Sequence, residues 1–239
     1  VTPSVLNLPI REVVDATPRS KIVRIDLEGQ PFAFAAGQAV LVRTGDGSRW
    51  VPYSIASSPE EVARSGSLEL LIQANPPGRA ADELGQGARV DVHGPIGRFW
   101  FPPGPGERRF LFVAGGTGIA PLRAMLWHLL LDASRPRPEY LGLIYSARTP
   151  DEFAYAPELT SLAAEGRLDL KYTVTRADRD GEWAGGRGRI DRRQLGEMLG
   201  EPAPLCFVCG PPDLVRDVPL LLEDLGVARE RIRIEEWTG

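Results

Sequence analysis

The rhythm of hydrophobic and polar positions changes partway along this chain. Residues 7–14, 20–27, 38–44, 51–56, 67–74 and 88–93 are short stretches rich in Val, Ile and Leu. Turn signals such as Glu28-Gly29-Gln30-Pro31 and Thr44-Gly45-Asp46-Gly47 separate them. That spacing predicts six short strands with few helices, which is the pattern of a small antiparallel β-barrel. One short helix is predicted over 79–84. The run Pro102-Pro103-Gly104-Pro105-Gly106 reads as a linker, giving two domains, 1–104 and 105–239.

After Arg109 the period lengthens. Strands are predicted over 110–114, 139–145, 168–175, 204–209 and 230–237, alternating with helices over 120–132, 156–165, 191–199 and 213–226. This is an α/β domain with a five-stranded parallel sheet in the order 3-2-1-4-5. Ligands of such sheets bind beyond the carboxyl ends of the strands. The uncharged first strand runs straight into Gly115, Gly116, Thr117 and Gly118, with Pro121 expected at the first position of the following helix. Strand, glycine turn and helix start together aim free backbone N–H groups at a phosphate. Cys209, Gly210, Pro211 and Pro212 end the neighbouring fourth strand, so the two segments are predicted to meet.

Composition narrows the function classes. The chain has 239 residues, 43% of them hydrophobic and 25% charged, with a net charge of -4. Ten basic and 11 acidic residues precede position 105 and 18 and 21 follow it, so neither half offers the basic platform that nucleic acid needs. No apolar run approaches the roughly 18 residues of a membrane span, and the first residues lack a leader's layout, so a cytoplasmic location is expected. Cys206 and Cys209 have C-x-x-C spacing but lie inside an apolar strand. No second pair or His cluster completes a zinc site, and two thiols fall short of a cysteine-ligated iron–sulfur cluster. No metal is assigned.

The glycine turn departs from the dinucleotide fingerprint of dehydrogenases. Its third glycine position is Pro121, and Tyr145-Ser146-Ala147-Arg148 stands where a ribose-binding acid is expected. Four separated stretches carry more weight. They are Val51-Pro52-Tyr53-Ser54-Ile55-Ala56-Ser57, Gly94-Pro95-Ile96-Gly97-Arg98-Phe99, Gly115-Gly116-Thr117-Gly118-Ile119-Ala120-Pro121 and Cys209-Gly210-Pro211-Pro212, in that order. In this ordered set the chain resembles the ferredoxin–NADP reductase superfamily of flavoenzymes, over nearly its whole length.

That resemblance implies a flavin-binding barrel, a NAD(P)-binding α/β domain and a role for each motif. Pro52, Tyr53, Ser54, Ile55, Ala56 and Ser57 would line the flavin, with Tyr53 flat against its ring and Ser54 hydrogen-bonded near N5. Gly115, Gly116, Thr117, Gly118 and Pro121 would receive the pyrophosphate of NADPH or NADH. Cys209 would sit by the nicotinamide, in a turn shaped by Gly210, Pro211 and Pro212. Ser146, Arg148, Thr175 and Arg176 would surround the ribose 2′ position, which gives a slight preference for NADPH. At the tail, Glu235 would tune the semiquinone or relay a proton and Trp237 would gate nicotinamide access, with a last strand that only packs Trp237 as the open alternative.

Two departures concern the flavin phosphates. Val51 replaces the usual Arg, with Arg49 as its substitute two residues earlier. The second phosphate motif reads Gly78-Arg79-Ala80-Ala81, without its hydroxyl residue. FAD is the cofactor the resemblance implies, and FMN or a loosely held flavin stays open. The implied activity is hydride transfer from NAD(P)H to flavin, then electron transfer to a separate acceptor such as ferredoxin, an oxygenase component or a small acceptor. Two alternatives stay open: a reductase of diffusible flavin, and a non-catalytic nucleotide- or flavin-binding regulatory subunit.

Overall fold

The computed structural model describes residues 5–45, 49–74, 84–101, 106–176 and 183–236. The chain divides into two compact units, Val1–Pro102 with Arg123–Asp132, and Pro103–Leu122 with Ala133–Gly239.

The first unit contains β1 (Val5–Thr17), β2 (Ser20–Asp26), β3 (Ala39–Thr44), β4 (Val51–Ser54), α1 (Pro59–Ser65), β5 (Ser67–Gln73) and β6 (Arg89–Ile96). All the pairings are antiparallel, and the order is β4-β3-β6-β1-β2-β5. The two end strands then meet, because Ile55 bridges Leu70 of β5 directly after β4. This closes the expected barrel and removes its edges. Alternate residues point inward and bury Leu8, Ile10, Val23, Ile25, Val40, Val42, Val90 and Val92.

Helix α1 has no counterpart in the predicted elements. Its signal is Ser58-Pro59-Glu60-Glu61, a capping box with proline at the helix start. The Ser58 hydroxyl accepts from Glu61 N at 3.2 Å, and Glu61 Oε2 accepts from Ser58 N at 2.8 Å. The helix predicted over 79–84 lies outside the described residues except for the buried Leu84.

The second unit contains β7 (Arg109–Gly115), α2 (Ile119–Leu131, whose later residues count with the first unit), β8 (Tyr140–Ala147), α3 (Ala156–Ala164) and β9 (Asp169–Val174). It continues with β10 (Gly186–Arg187), α4 (Arg192–Gly196), β11 (Leu205–Gly210), α5 (Pro212–Asp224) and β12 (Ile232–Glu236). Its sheet is parallel, in the order β10-β9-β8-β7-β11-β12. The predicted order holds for the five main strands, but the sheet has six strands, which corrects the expected count of five. The extra strand, β10, is a two-residue edge beside Thr173 and Val174, too short to show any hydrophobic period. Leu111, Val113, Ile144 and Val208 of the central strands pack with Val215, Val218 and Leu222 of α5, and Cys206 joins the same core.

Candidate active site

The flavin candidates of the first unit follow one another along a single edge. Tyr53 and Ser54 pair with Val40 and Ala39 of β3 and are only 7% and 4% exposed. The chain then changes partner. Ile55 N donates to the Gln38 carbonyl, Ala56 N donates to the Glu69 carbonyl on β5, and the Ser57 hydroxyl accepts from Glu69 N. The amides of Ile55 and Ala56 and the Ser57 side chain are therefore engaged in closing the barrel. The Ser54 hydroxyl makes no hydrogen bond to another described residue and stays available as a donor. Pro52 is exposed on β4, and Arg49 is exposed two residues before that strand begins. Gly78, Arg79, Ala80 and Ala81 lie outside the described residues, as does Trp237.

In the second unit the two predicted loops meet, backbone against backbone. A Cβ placed on Gly118 would stand 2.4 Å from the Cys209 carbonyl oxygen, and one on Gly115 would stand 2.7 Å from Pro211 Cδ. Gly116 is different: it adopts a left-handed φ of +54° and has nothing within 4 Å of its missing Cβ. Two of the glycines therefore permit close packing, and the third leaves open space beside the chain. A tight turn, Gly116–Gly118, leads into α2, and no acidic residue occupies the first turn of either. That combination of donors, space and absent negative charge fits a pyrophosphate. Pro121 is the third residue of α2 rather than the first, still within the turn whose N–H groups need no helical partner.

Tyr145, which carried no expected role, supports this loop, and the ribose candidates Ser146 and Arg148 follow it in sequence. The fully buried Tyr145 donates its hydroxyl to the Gly116 carbonyl at 3.0 Å. It occupies the strand position where dehydrogenases carry an acid. Ser146 pairs with Gly115 across β7 and β8. Arg148 and Arg176 stand side by side, since Arg176 N donates to the Arg148 carbonyl at 2.8 Å, and Thr175 N is tied likewise to Ala147. Neither arginine has an acidic partner among the described residues.

Cys209 is wholly buried near the end of β11, and its register partner on β12 is Glu235. Burial pushes the Cys209 thiol well above its ordinary range, and the charge of Glu235 raises it further, so the sulfur stays protonated. Glu235 Oε2 is buried without a hydrogen-bond partner among the described residues, and desolvation raises the carboxyl to about 7.

The raised Glu235 value has a consequence for stability. Between the ordinary value of 4.5 and about 7 the folded chain keeps a proton that the unfolded chain has released. Stability therefore falls as pH rises through that window and levels off above it. Glu235→Gln cannot ionise. Its melting temperature relative to the unsubstituted protein is expected to climb from about pH 4 to a plateau above pH 7. A difference that stays flat with pH would rule out this titration.

Comparison with known proteins agrees with both units. Residues 7–101 match the oxidoreductase FAD-binding domain and residues 112–219 the oxidoreductase NAD-binding domain. Ferredoxin–NADP reductase B of Sorangium cellulosum is 32% identical over 219 residues, covering 88% of each chain. The ferredoxin reductase in carbazole 1,9a-dioxygenase superposes with a TM-score of 0.82 at 26% identity, over 99% of this chain and 70% of that one. A ferredoxin NADP+ reductase from Neisseria gonorrhoeae, solved with FAD and NADP, gives a TM-score of 0.80 at 23% identity, over 97% and 98% of the two chains. A closed barrel that ends a strand on Tyr53-Ser54, followed by a glycine-lined parallel sheet, thus places the chain in the ferredoxin–NADP reductase family, as an NAD(P)H-dependent flavoprotein oxidoreductase that uses FAD.

Proposed function

We propose that this oxidoreductase takes hydride from NADPH in preference to NADH and passes the electrons to a separate one-electron carrier, a ferredoxin or an oxygenase component. The observation that carries the reading is the glycine-lined meeting of the β7 and β11 loops beside an open, acid-free helix start. The preference for the phosphorylated nucleotide rests on the adjacent Arg148 and Arg176, two guanidinium groups without acidic partners among the described residues. The choice of acceptor rests on the ferredoxin reductases among the relatives. A cytoplasmic setting goes with this reading.

FAD, when bound, would supply the redox chemistry that links a two-electron hydride donor to a one-electron acceptor. The protein's contribution is binding, orientation and exclusion of water. Tyr53 and Ser54 would hold the flavin, Tyr53 through its ring and Ser54 through a hydroxyl free to donate a hydrogen bond. The glycine turn, held by Tyr145, anchors the nucleotide by its pyrophosphate. Cys209 provides an uncharged surface beside the nicotinamide. Glu235, with a carboxyl that titrates at about 7, holds or releases a proton near physiological pH.

The test is an anaerobic visible spectrum of the FAD-loaded protein, titrated with NADPH and then NADH, followed by addition of oxidised ferredoxin. Flavin absorbance is expected to bleach faster with NADPH and to return as ferredoxin is reduced. A protein that holds no flavin but turns over free FAD or FMN would instead be a reductase of diffusible flavin. Faster bleaching with NADH would overturn the nucleotide assignment.

A further inference from the structure

Directly after the flavin strand, the backbone carbonyl of Ala56 has no backbone donor among the described residues. After Ser54 the chain stops pairing with β3 and joins β5 for two residues, and Ala56, which is wholly buried, marks the end of that short ladder. Its N–H is bonded to Glu69. Its carbonyl accepts from no backbone N–H of the described residues, and a buried acceptor must then find another donor.

The donor is Arg123, a residue of α2 that is itself only 6% exposed. Arg123 Nη1 donates to the Ala56 carbonyl at 2.8 Å. The same guanidinium forks onto Glu61, with Nη2 to Oε1 at 2.9 Å and Nη1 to Oε2 at 3.3 Å. Glu61 Oε2 is the atom that caps α1 through Ser58 N. On the other side, Arg123 lies 3.7 Å from Glu69, whose backbone pairs with Ala56 and Ser57 and whose Oε2 accepts from Arg24 Nε at 2.8 Å. Arg24 in turn bonds Glu12. The chain of charges Glu12, Arg24, Glu69, Arg123 and Glu61 thus ends on the bend that follows Tyr53 and Ser54.

We infer that Arg123 is a positioning residue for the flavin strand: by tying the Ala56 carbonyl to the half-buried carboxylate of Glu61, it sets the direction in which Tyr53 and Ser54 face the flavin. The inference rests on the proposed roles of those two residues. Arg123 itself touches neither flavin nor nucleotide in this reading. A buried arginine is otherwise a poor choice for a helix, because desolvating it is unfavourable unless every donor is directed. A guanidinium suits this place because one planar group reaches a carboxylate with two N–H bonds and a carbonyl with a third. An ammonium cannot reproduce that fork.

The experiment compares the FAD-loaded protein with Arg123→Lys, Glu61→Gln and the double variant. Three readouts are needed: thermal melting, visible circular dichroism of the bound flavin, and the rate of flavin bleaching at saturating NADPH. Arg123→Lys keeps the charge opposite Glu61 and Glu69 but loses the fork. It is expected to alter the flavin dichroism and slow bleaching by about 10- to 100-fold, a range set by the sensitivity of transfer rates to small misplacements. Glu61→Gln preserves the α1 cap and loosens only the far side of the guanidinium, so a smaller change in the same direction is expected. The double variant should fall short of the product of the two single effects. Wild-type dichroism and wild-type bleaching in Arg123→Lys would overturn the inference. If that variant does not fold, the same result in Glu61→Gln would overturn it. An unsubstituted protein that binds no flavin would instead remove the underlying reading of Tyr53 and Ser54.

Discussion

Gly118→Ala is expected to damage both the fold and the nucleotide site, whereas Gly116→Ala should spare most of the fold. The added methyl at position 118 meets only backbone, with the Cys209 carbonyl oxygen at 2.4 Å, its carbon at 2.6 Å and Gly210 Cα at 2.8 Å. No rotamer change relieves such a contact, so β7 and β11 must separate where their loops cross. Overpacking of this kind costs about 1–3 kcal/mol. It also moves the amides of the turn away from the position that suits a pyrophosphate. A loss of nucleotide affinity of about 10- to 100-fold corresponds to roughly 1.4–2.8 kcal/mol of misdirected contacts. At Gly116 the methyl enters open space, and the penalty is the left-handed φ of +54°, about 1–2 kcal/mol. Urea melts and isothermal titration with NADP+ check both variants. A Gly118→Ala protein with unchanged stability would mean that the two loops do not pack in this way.

The legible parts of this protein are those with a local period. Alternation in β2 and β6, the uninterrupted apolar run of β7, and glycines placed where strands end identify the barrel, the parallel sheet and the nucleotide loop. Elements without a period escape such a reading. The two residues of β10 show no alternation. Helix α1 is only seven residues long and carries a single fully buried side chain, Val62, so its evidence is the Ser58–Glu61 capping pair alone. Helix α4 stops at Gly196 although the apolar pattern continues, because Met198 and Leu199 enter the core from a turn.

The supporting residues of the site are harder still to read from sequence. Tyr145 acts on Gly116 across 29 positions and Arg123 on Ala56 across 67. Their partners are backbone carbonyls, and a carbonyl leaves no trace in the sequence. A tyrosine in an apolar strand and an arginine on a helix read as packing and solvation respectively. Only the fold shows the hydrogen bonds they make.

Ser54→Ala is expected to keep FAD bound and slow its reduction by about 10²-fold, the usual effect of removing one directed hydrogen bond from a reacting centre. The buried serine hydroxyl makes no hydrogen bond to another described residue, so the barrel does not use it. Removing it leaves no protein group unsatisfied, and the melting temperature should hold or rise slightly. That separates this substitution from changes at Ile55, Ala56 or Ser57, whose polar groups close the barrel. Stopped-flow bleaching across a range of NADPH concentrations distinguishes the two ways of losing rate. A lower plateau with unchanged half-saturation places the hydroxyl in hydride transfer, and a shifted half-saturation places it in nucleotide binding. An unchanged plateau would show that Ser54 does no more than fill the strand, and the chemical role would then have to come from Tyr53 or Cys209.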